Sequence, residues 1–156
     1  METRMKSFVK SLLAVSLLAA AGFAQAAPNC TIKLTGNDAM QFDHKTATVS
    51  AACPSITIQF AHVGKLPVTA MGHNVVISAS KDVAAAAADG MKAGAAAGYV
   101  KKGDARVIAA TPIVGGGAKT TAKFAGKLLK AGGDYTFYCS FPGHSGIMKG
   151  KLVVTK

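Results

Sequence analysis

Apolar positions along the chain recur mainly with a period of two. In Ile56-Thr57-Ile58-Gln59-Phe60 every second residue is apolar, as in a strand with one face in a core and the other in water. Residues 31–34 alternate in the same sense, and 47–49 form a shorter run. Further runs at 75–77, 106–109, 120–124, 135–139 and 151–155 bring the series to eight. Gly115-Gly116-Gly117, Gly132-Gly133-Asp134 and Pro142-Gly143 mark turns between the later runs. Short strands at this spacing predict an all-β fold, an eight-stranded Greek-key β-sandwich. One stretch breaks the pattern. Residues 81–97 (KDVAAAAADGMKAGAAA) are rich in alanine, the best helix former, with Gly90 and Gly94 opposing it. One short helical insertion on the outside of the sandwich is expected there.

The N-terminus follows a different pattern. Arg4, Lys6 and Lys10 precede an uncharged Leu/Ala-rich run over residues 11–23, which closes at Ala24-Gln25-Ala26. A basic start, a short apolar segment and an A-x-A exit have the form of a secretory signal peptide. The run is too short for a membrane span, which needs about 20 residues. Cleavage after Ala26 is expected, leaving one domain at residues 27–156.

Composition narrows the function classes. A chain of 156 residues is one domain by default, and 50% hydrophobic with 16% charged residues excludes a mainly disordered one. The formal charge is +11, and beyond the leader every acid is an aspartate. The basic residues are dispersed, with no run or aromatic-interleaved patch of the kind nucleic-acid binding uses. Their excess favours encounter with an acidic partner, or weak contact with an anionic membrane surface, over nucleic acid; it serves solubility equally well.

Cysteine carries the first chemistry. There are three, Cys30, Cys53 and Cys139, and an odd count in an exported chain leaves a thiol with a use of its own. A bridge between Cys30 and Cys53 would stabilise by about 3 kcal/mol in the chain-entropy model, with Cys139 left over. That cysteine opens the segment Cys139-Ser140-Phe141-Pro142-Gly143-His144-Ser145-Gly146-Ile147-Met148, spaced Cys-x4-His-x3-Met. A thiolate, an imidazole and a thioether within ten residues suit copper: the sulfurs are soft, imidazole serves both oxidation states, and a His2Cys plane with a weak axial Met is the blue-copper arrangement. A second imidazole stands in Met71-Gly72-His73-Asn74, just before the run at 75–77, where a sandwich could bring it beside Cys139. Zinc is the runner-up, since it gains little from a thioether. Singly, a buried cysteine, a core methionine or a loop histidine is unremarkable; their convergence on one place argues for a site.

Taken together these residues resemble the azurin branch of the cupredoxin family, bacterial blue copper proteins, over essentially all of residues 28–156. The matching stretches are Gly36-Asn37-Asp38 with Met40-Gln41-Phe42, Gly64-Lys65-Leu66-Pro67, Met71-Gly72-His73-Asn74, Asp89-Gly90, Arg106-Val107-Ile108-Ala109, and the segment from Tyr138 through His144 with Met148-Lys149-Gly150. The resemblance implies one copper ion held by His73, Cys139 and His144, with Met148 and the Gly72 carbonyl as distant axial groups. It implies the Cys30–Cys53 disulfide, and a buried Asn74 tying the two ligand loops together. It places His62 behind the copper, close to it but not on it. It also implies a docking patch of Met40, Leu66, Met71, Phe141, Pro142, Gly143 and Ile147 around the outer edge of His144. The function implied is periplasmic shuttling of single electrons between redox proteins, without substrate turnover. A copper oxidase or nitrite reductase would need a second copper, and only His44 and His62 remain to hold it. A periplasmic copper carrier or storage protein is the alternative. Val75 stands where many members of the family have a buried tryptophan.

Overall fold

The computed structural model describes residues 27–156, so the expected signal peptide at residues 1–26 lies outside the described residues. The first sheet has the order β2-β1-β4-β7, built from β1 (Thr31–Asn37), β2 (Gln41–Phe42), β4 (Ser55–His62) and β7 (Lys119–Ala125). The second runs β3-β9-β8-β5-β6, from β3 (Thr46–Ser50), β5 (Val76–Ala79), β6 (Val107–Ala110), β8 (Tyr135–Tyr138) and β9 (Lys149–Thr155). All eight expected strands are present. The ninth, β2, has two residues, too few to carry a period.

Alternation decides which side of each strand faces inward. In β4 the buried residues are Ile56, Ile58, Phe60 and His62, while Ser55 and Gln59 are exposed. Ile32 and Leu34 of β1 point the same way, and from the second sheet Val49, Ile77, Phe137, Leu152 and Val154 meet them in one core. Phe42 fills the space between Phe60 and Phe137, edge-on to both at 6.0 and 5.3 Å between ring centroids. Val75, at the expected tryptophan position, is fully buried in the same core. Burying about ten such aliphatic and aromatic side chains, at roughly 1.5–3 kcal/mol each, is the main term holding the sheets together.

Two pairings are parallel: β1 with β4 and β3 with β9. Because β1 and β4 run together, their starts lie at one end of the sandwich and their finishes at the other. The starts are joined by the Cys30–Cys53 disulfide, with 5.6 Å between Cα atoms.

The Ala-rich stretch is helical, with an interruption. A 3₁₀ turn at Ser80–Asp82 leads into α2 (Val83–Ala93), and another 3₁₀ turn follows at Ala95–Ala97. Gly94 ends the helix with φ of 78°, a conformation that favours glycine. Gly90 belongs inside the helix because a Cβ there would collide with the Tyr99 carbonyl. Val83 and Ala87 pack with Val76 and Tyr138 on the outer face of the second sheet, so this flap has a small core of its own. One further helical turn, α1 (Val68–Met71), was not expected from the pattern. Among the described residues no helix is long and apolar enough to cross a membrane.

Candidate metal centre

The end of the sandwich opposite the disulfide collects the donors. After β4 the chain passes through α1 to Gly72 and His73. His73 pairs with Val114 through two backbone hydrogen bonds of 2.9 Å, which fix its backbone at the rim of the sheet. Gly72 is required: a Cβ would meet the Val68 carbonyl at 2.6 Å, and Ile113 and Phe141 at 3.0 Å.

The other donors come from the loop between β8 and β9. Cys139 follows the last residue of β8 and keeps a ladder-like bond, its N–H to the Met148 carbonyl at 3.0 Å. His144 N–H bonds to the Phe141 carbonyl, and the His144 carbonyl accepts from Ile147 at 3.0 Å and Met148 at 2.8 Å. A tight turn thus sets Cys139, His144 and Met148 from a single segment.

His73, Cys139 and His144 are buried, and one donor atom from each lies within 4.8 Å of the others. Cys139 Sγ is 3.6 Å from His73 Nδ1 and 3.6 Å from His144 Nδ1, and the two nitrogens are 3.2 Å apart. The His73 tautomer follows from its far side. Nε2 is 2.9 Å from the Asn37 carbonyl, which can only accept, so Nε2 carries the proton and the Nδ1 lone pair faces the thiol.

Burial pushes the Cys139 thiol up to about 11. Burial, and then His73, hold His144 down at about 4, and burial is also the main cause lowering His73. Near neutral pH the three groups are therefore uncharged, and a cation entering among them displaces the thiol proton. Such a set fits copper: two imidazole nitrogens and a sulfur converge where all three side chains are buried. The Gly72 carbonyl is 3.8 Å from Sγ. Met148 is fully buried, and its methyl end lies 2.8 Å from where a Cβ on Gly36 would stand, at the finish of β1.

Asn74 ties the two loops. Its Oδ1 accepts from the Ser140 N–H at 2.9 Å, and its Nδ2 donates to Ser140 Oγ at 2.8 Å. The Ser140 hydroxyl proton is shared between Asn74 Oδ1 and the Gly98 carbonyl, each at 3.2 Å. His62 stacks on His73, with ring centroids 4.4 Å apart and planes 16° from parallel. Its Nε2 donates to the Met71 carbonyl at 2.9 Å, and its Nδ1 accepts from the Gly64 N–H at 3.0 Å, so neither nitrogen is free for a metal.

The expected patch residues lie on the loops at this end. Leu66 and Ile147 are 42% and 56% exposed, Pro142 and Gly143 are exposed, and Met40, Met71 and Phe141 are half-buried. Val68, 41% exposed two residues from Leu66, adds apolar surface that the sequence reading missed. Asn37 was also missed as a participant. Its contribution is a backbone carbonyl, for which a sequence has no signature. His44 stands apart, exposed beside Asp43.

Comparison with known proteins agrees with this geometry. Residues 28–155 match the family of copper binding proteins, plastocyanin/azurin family. The azurin of Alcaligenes faecalis is 52% identical over 123 residues, covering 79% of this chain and 96% of its own length. The azurin of Pseudomonas aeruginosa is 41% identical over 146 residues, 94% of this chain and 99% of its own. Among solved structures, the azurin Az-iso2 of Methylomonas sp. strain J superimposes with a TM-score of 0.78 at 42% identity, covering 81% of this chain and 98% of that one. The chain belongs to the plastocyanin/azurin family of copper-binding proteins.

Proposed function

We propose that this protein is a blue copper electron carrier of the periplasm, taking one electron from a redox partner and passing it to another. The observation that carries the reading is the buried convergence of His73 Nδ1, His144 Nδ1 and Cys139 Sγ at one rigid end of the sandwich. Bound copper would supply the one-electron chemistry, cycling between Cu(II) and Cu(I). His73, Cys139 and His144 would hold it, with Met148 and the Gly72 carbonyl as further weak donors.

The chain's own residues make that transfer fast by not moving. The Asn37 carbonyl holds the His73 ring, Asn74 and Ser140 lock the two loops together, and the His144 turn is closed by its own backbone bonds. His62, stacked on His73 and hydrogen-bonded at both of its own nitrogens, backs that ring from behind. His144 is 3% exposed, so only its rim can meet a partner, and the apolar loop residues around it form a small docking face suited to short-lived complexes. The excess of lysine favours acidic redox partners. A leader at residues 1–26, cleaved after Ala26, would deliver the chain to the periplasm. Burial of all three donors argues for slow metal exchange, and so for a carrier of electrons over a carrier of copper.

Titrating the metal-free protein with a Cu(II) salt tests this. An intense blue band that bleaches on reduction and returns on oxidation is expected. A colourless complex that loses its copper rapidly to a chelator would overturn the reading in favour of copper delivery or storage.

A further inference from the structure

The ligand loop is gripped from the side of the flap as well as through Asn74. We propose that the corner where the flap ends, residues 94–99, is a clamp on the ligand loop, and that Tyr99 is a positioning residue for the metal centre. The inference rests on the electron-carrier reading and deepens it.

The first observation is backbone strain with a side chain attached. Gly98 and Tyr99 are consecutive left-handed residues, with φ of 61° and 55°. Glycine takes this conformation freely, whereas a tyrosine there costs about 1–2 kcal/mol. A ring kept at that position is held by its surroundings for what it touches. It touches Phe141 edge-on, with 5.4 Å between centroids and planes at 72°. Phe141 in turn lies 4.7 Å from the His144 ring. An unbroken row of three rings therefore runs from the flap to a candidate ligand.

The second observation is polar and acts on Ser140, the residue before Phe141. The Gly98 carbonyl accepts from Ser140 Oγ at 3.2 Å and from Asn74 Nδ2 at 3.4 Å. One corner of the flap thus reaches both residues that follow Cys139, Ser140 by hydrogen bond and Phe141 by ring contact.

The third observation is that the corner is braced from behind. The Tyr99 N–H bonds to the Gly94 carbonyl at 3.0 Å, and the Tyr99 carbonyl rests against Gly90, where any side chain would collide. The helix itself is pinned to the start of β6 by Arg106, which donates to Asp89 at 2.7 Å and also bonds Asp104. Force on the loop is passed through the flap into the second sheet. The clamp's task is to keep the loop closed around its metal, whichever oxidation state the metal has, and to resist its loss.

Amide hydrogen exchange in the metal-free protein, together with the rate at which a chelator removes copper from the loaded protein, tests the clamp. Tyr99→Gly relieves the backbone strain while removing the ring, and Tyr99→Asn, which tolerates the left-handed region without glycine's added backbone freedom, separates loss of the ring from loosening of the chain. In both variants the clamp predicts that exchange of the amides in 140–147 and loss of copper rise about two- to twelvefold, from losing an aromatic contact worth roughly 0.5–1.5 kcal/mol, while amides of β4 are unchanged. Tyr99→Phe keeps the ring and restores wild-type rates. Wild-type loop exchange in Tyr99→Gly or Tyr99→Asn, or acceleration in Tyr99→Phe equal to that in Tyr99→Gly, overturns the proposal. A wild-type protein that binds copper without turning blue would sink the electron-carrier reading instead, and the metal-free exchange data would still judge the clamp.

Discussion

The two ends of the sandwich are each closed by sulfur, in opposite ways. At the starts of β1 and β4 two cysteines are consumed in a covalent bond. At the finishes of the same strands, roughly 20 Å away by strand length, a single thiol is buried among imidazoles and is left out of any disulfide. The disulfide end is backed by main-chain bonds, Ser50 N–H to the Asn29 carbonyl and Thr57 N–H to the Cys30 carbonyl at 2.9 Å each, whereas the thiol end draws on Asn37, His62, Asn74 and Ser140 to hold three separate donor atoms in place. A covalent link fixes its own geometry, whereas three separate donor atoms are kept in place by fixed neighbours.

That contrast can be broken most sharply at Cys139. Cys139→Ser is expected to abolish the blue band entirely while leaving the thermal unfolding of the metal-free protein close to wild type, as absorbance and circular dichroism would record; a variant that stayed blue would show the donor set to be wrong. The opposite signature belongs to the other end. Replacing Cys30 and Cys53 together by alanine should lower stability by about 3 kcal/mol in denaturant titration, with the visible spectrum of the copper form unchanged.

A milder change sharpens the comparison within the thiol end. Met148→Leu conserves volume, so it should cost less than about 1.5 kcal/mol, keep the blue band and raise the reduction potential, measured by voltammetry. A fall in potential would contradict a weak thioether donor.

The smallest effect is expected at neither end, where the flap is pinned. The Arg106 guanidinium holds the Asp104 carboxyl down at about 2, below its ordinary 3.8. A depressed carboxyl contributes stability that is complete above the unfolded value and is lost as pH falls from about 4 to about 2. Asp104→Asn should therefore flatten the acid limb of the stability curve in that window and leave the copper spectrum at neutral pH untouched.

Much of this was legible in the linear order of residues, for a physical reason. Strand alternation is a local record of which side faces the core, so Ile56, Ile58 and Phe60 could be read directly. The spacing of Cys139, His144 and Met148 was readable because one turn carries all three, and His73 because few histidines compete for the role. Other features left no local mark. The turn α1 and the two-residue β2 are shorter than any period that would betray them. Gly90 looked like a weakness in the helix and is instead a close contact with Tyr99, visible only once the chain has folded back. The carbonyls of Asn37 and Gly98 act through the main chain, which is the same at every residue. The expected signal peptide at residues 1–26 lies outside the described residues.

One feature of the topology bears on how the protein is made. The third strand lies beside the last one, with Thr46 opposite Lys151 and Ser50 opposite Thr155. A chain emerging N-terminus first from a ribosome therefore cannot complete the second sheet until its final residues are through. Closure of the second sheet thus waits on connectivity itself, through a pairing of strands about a hundred positions apart, the kind of long-range contact that slows folding.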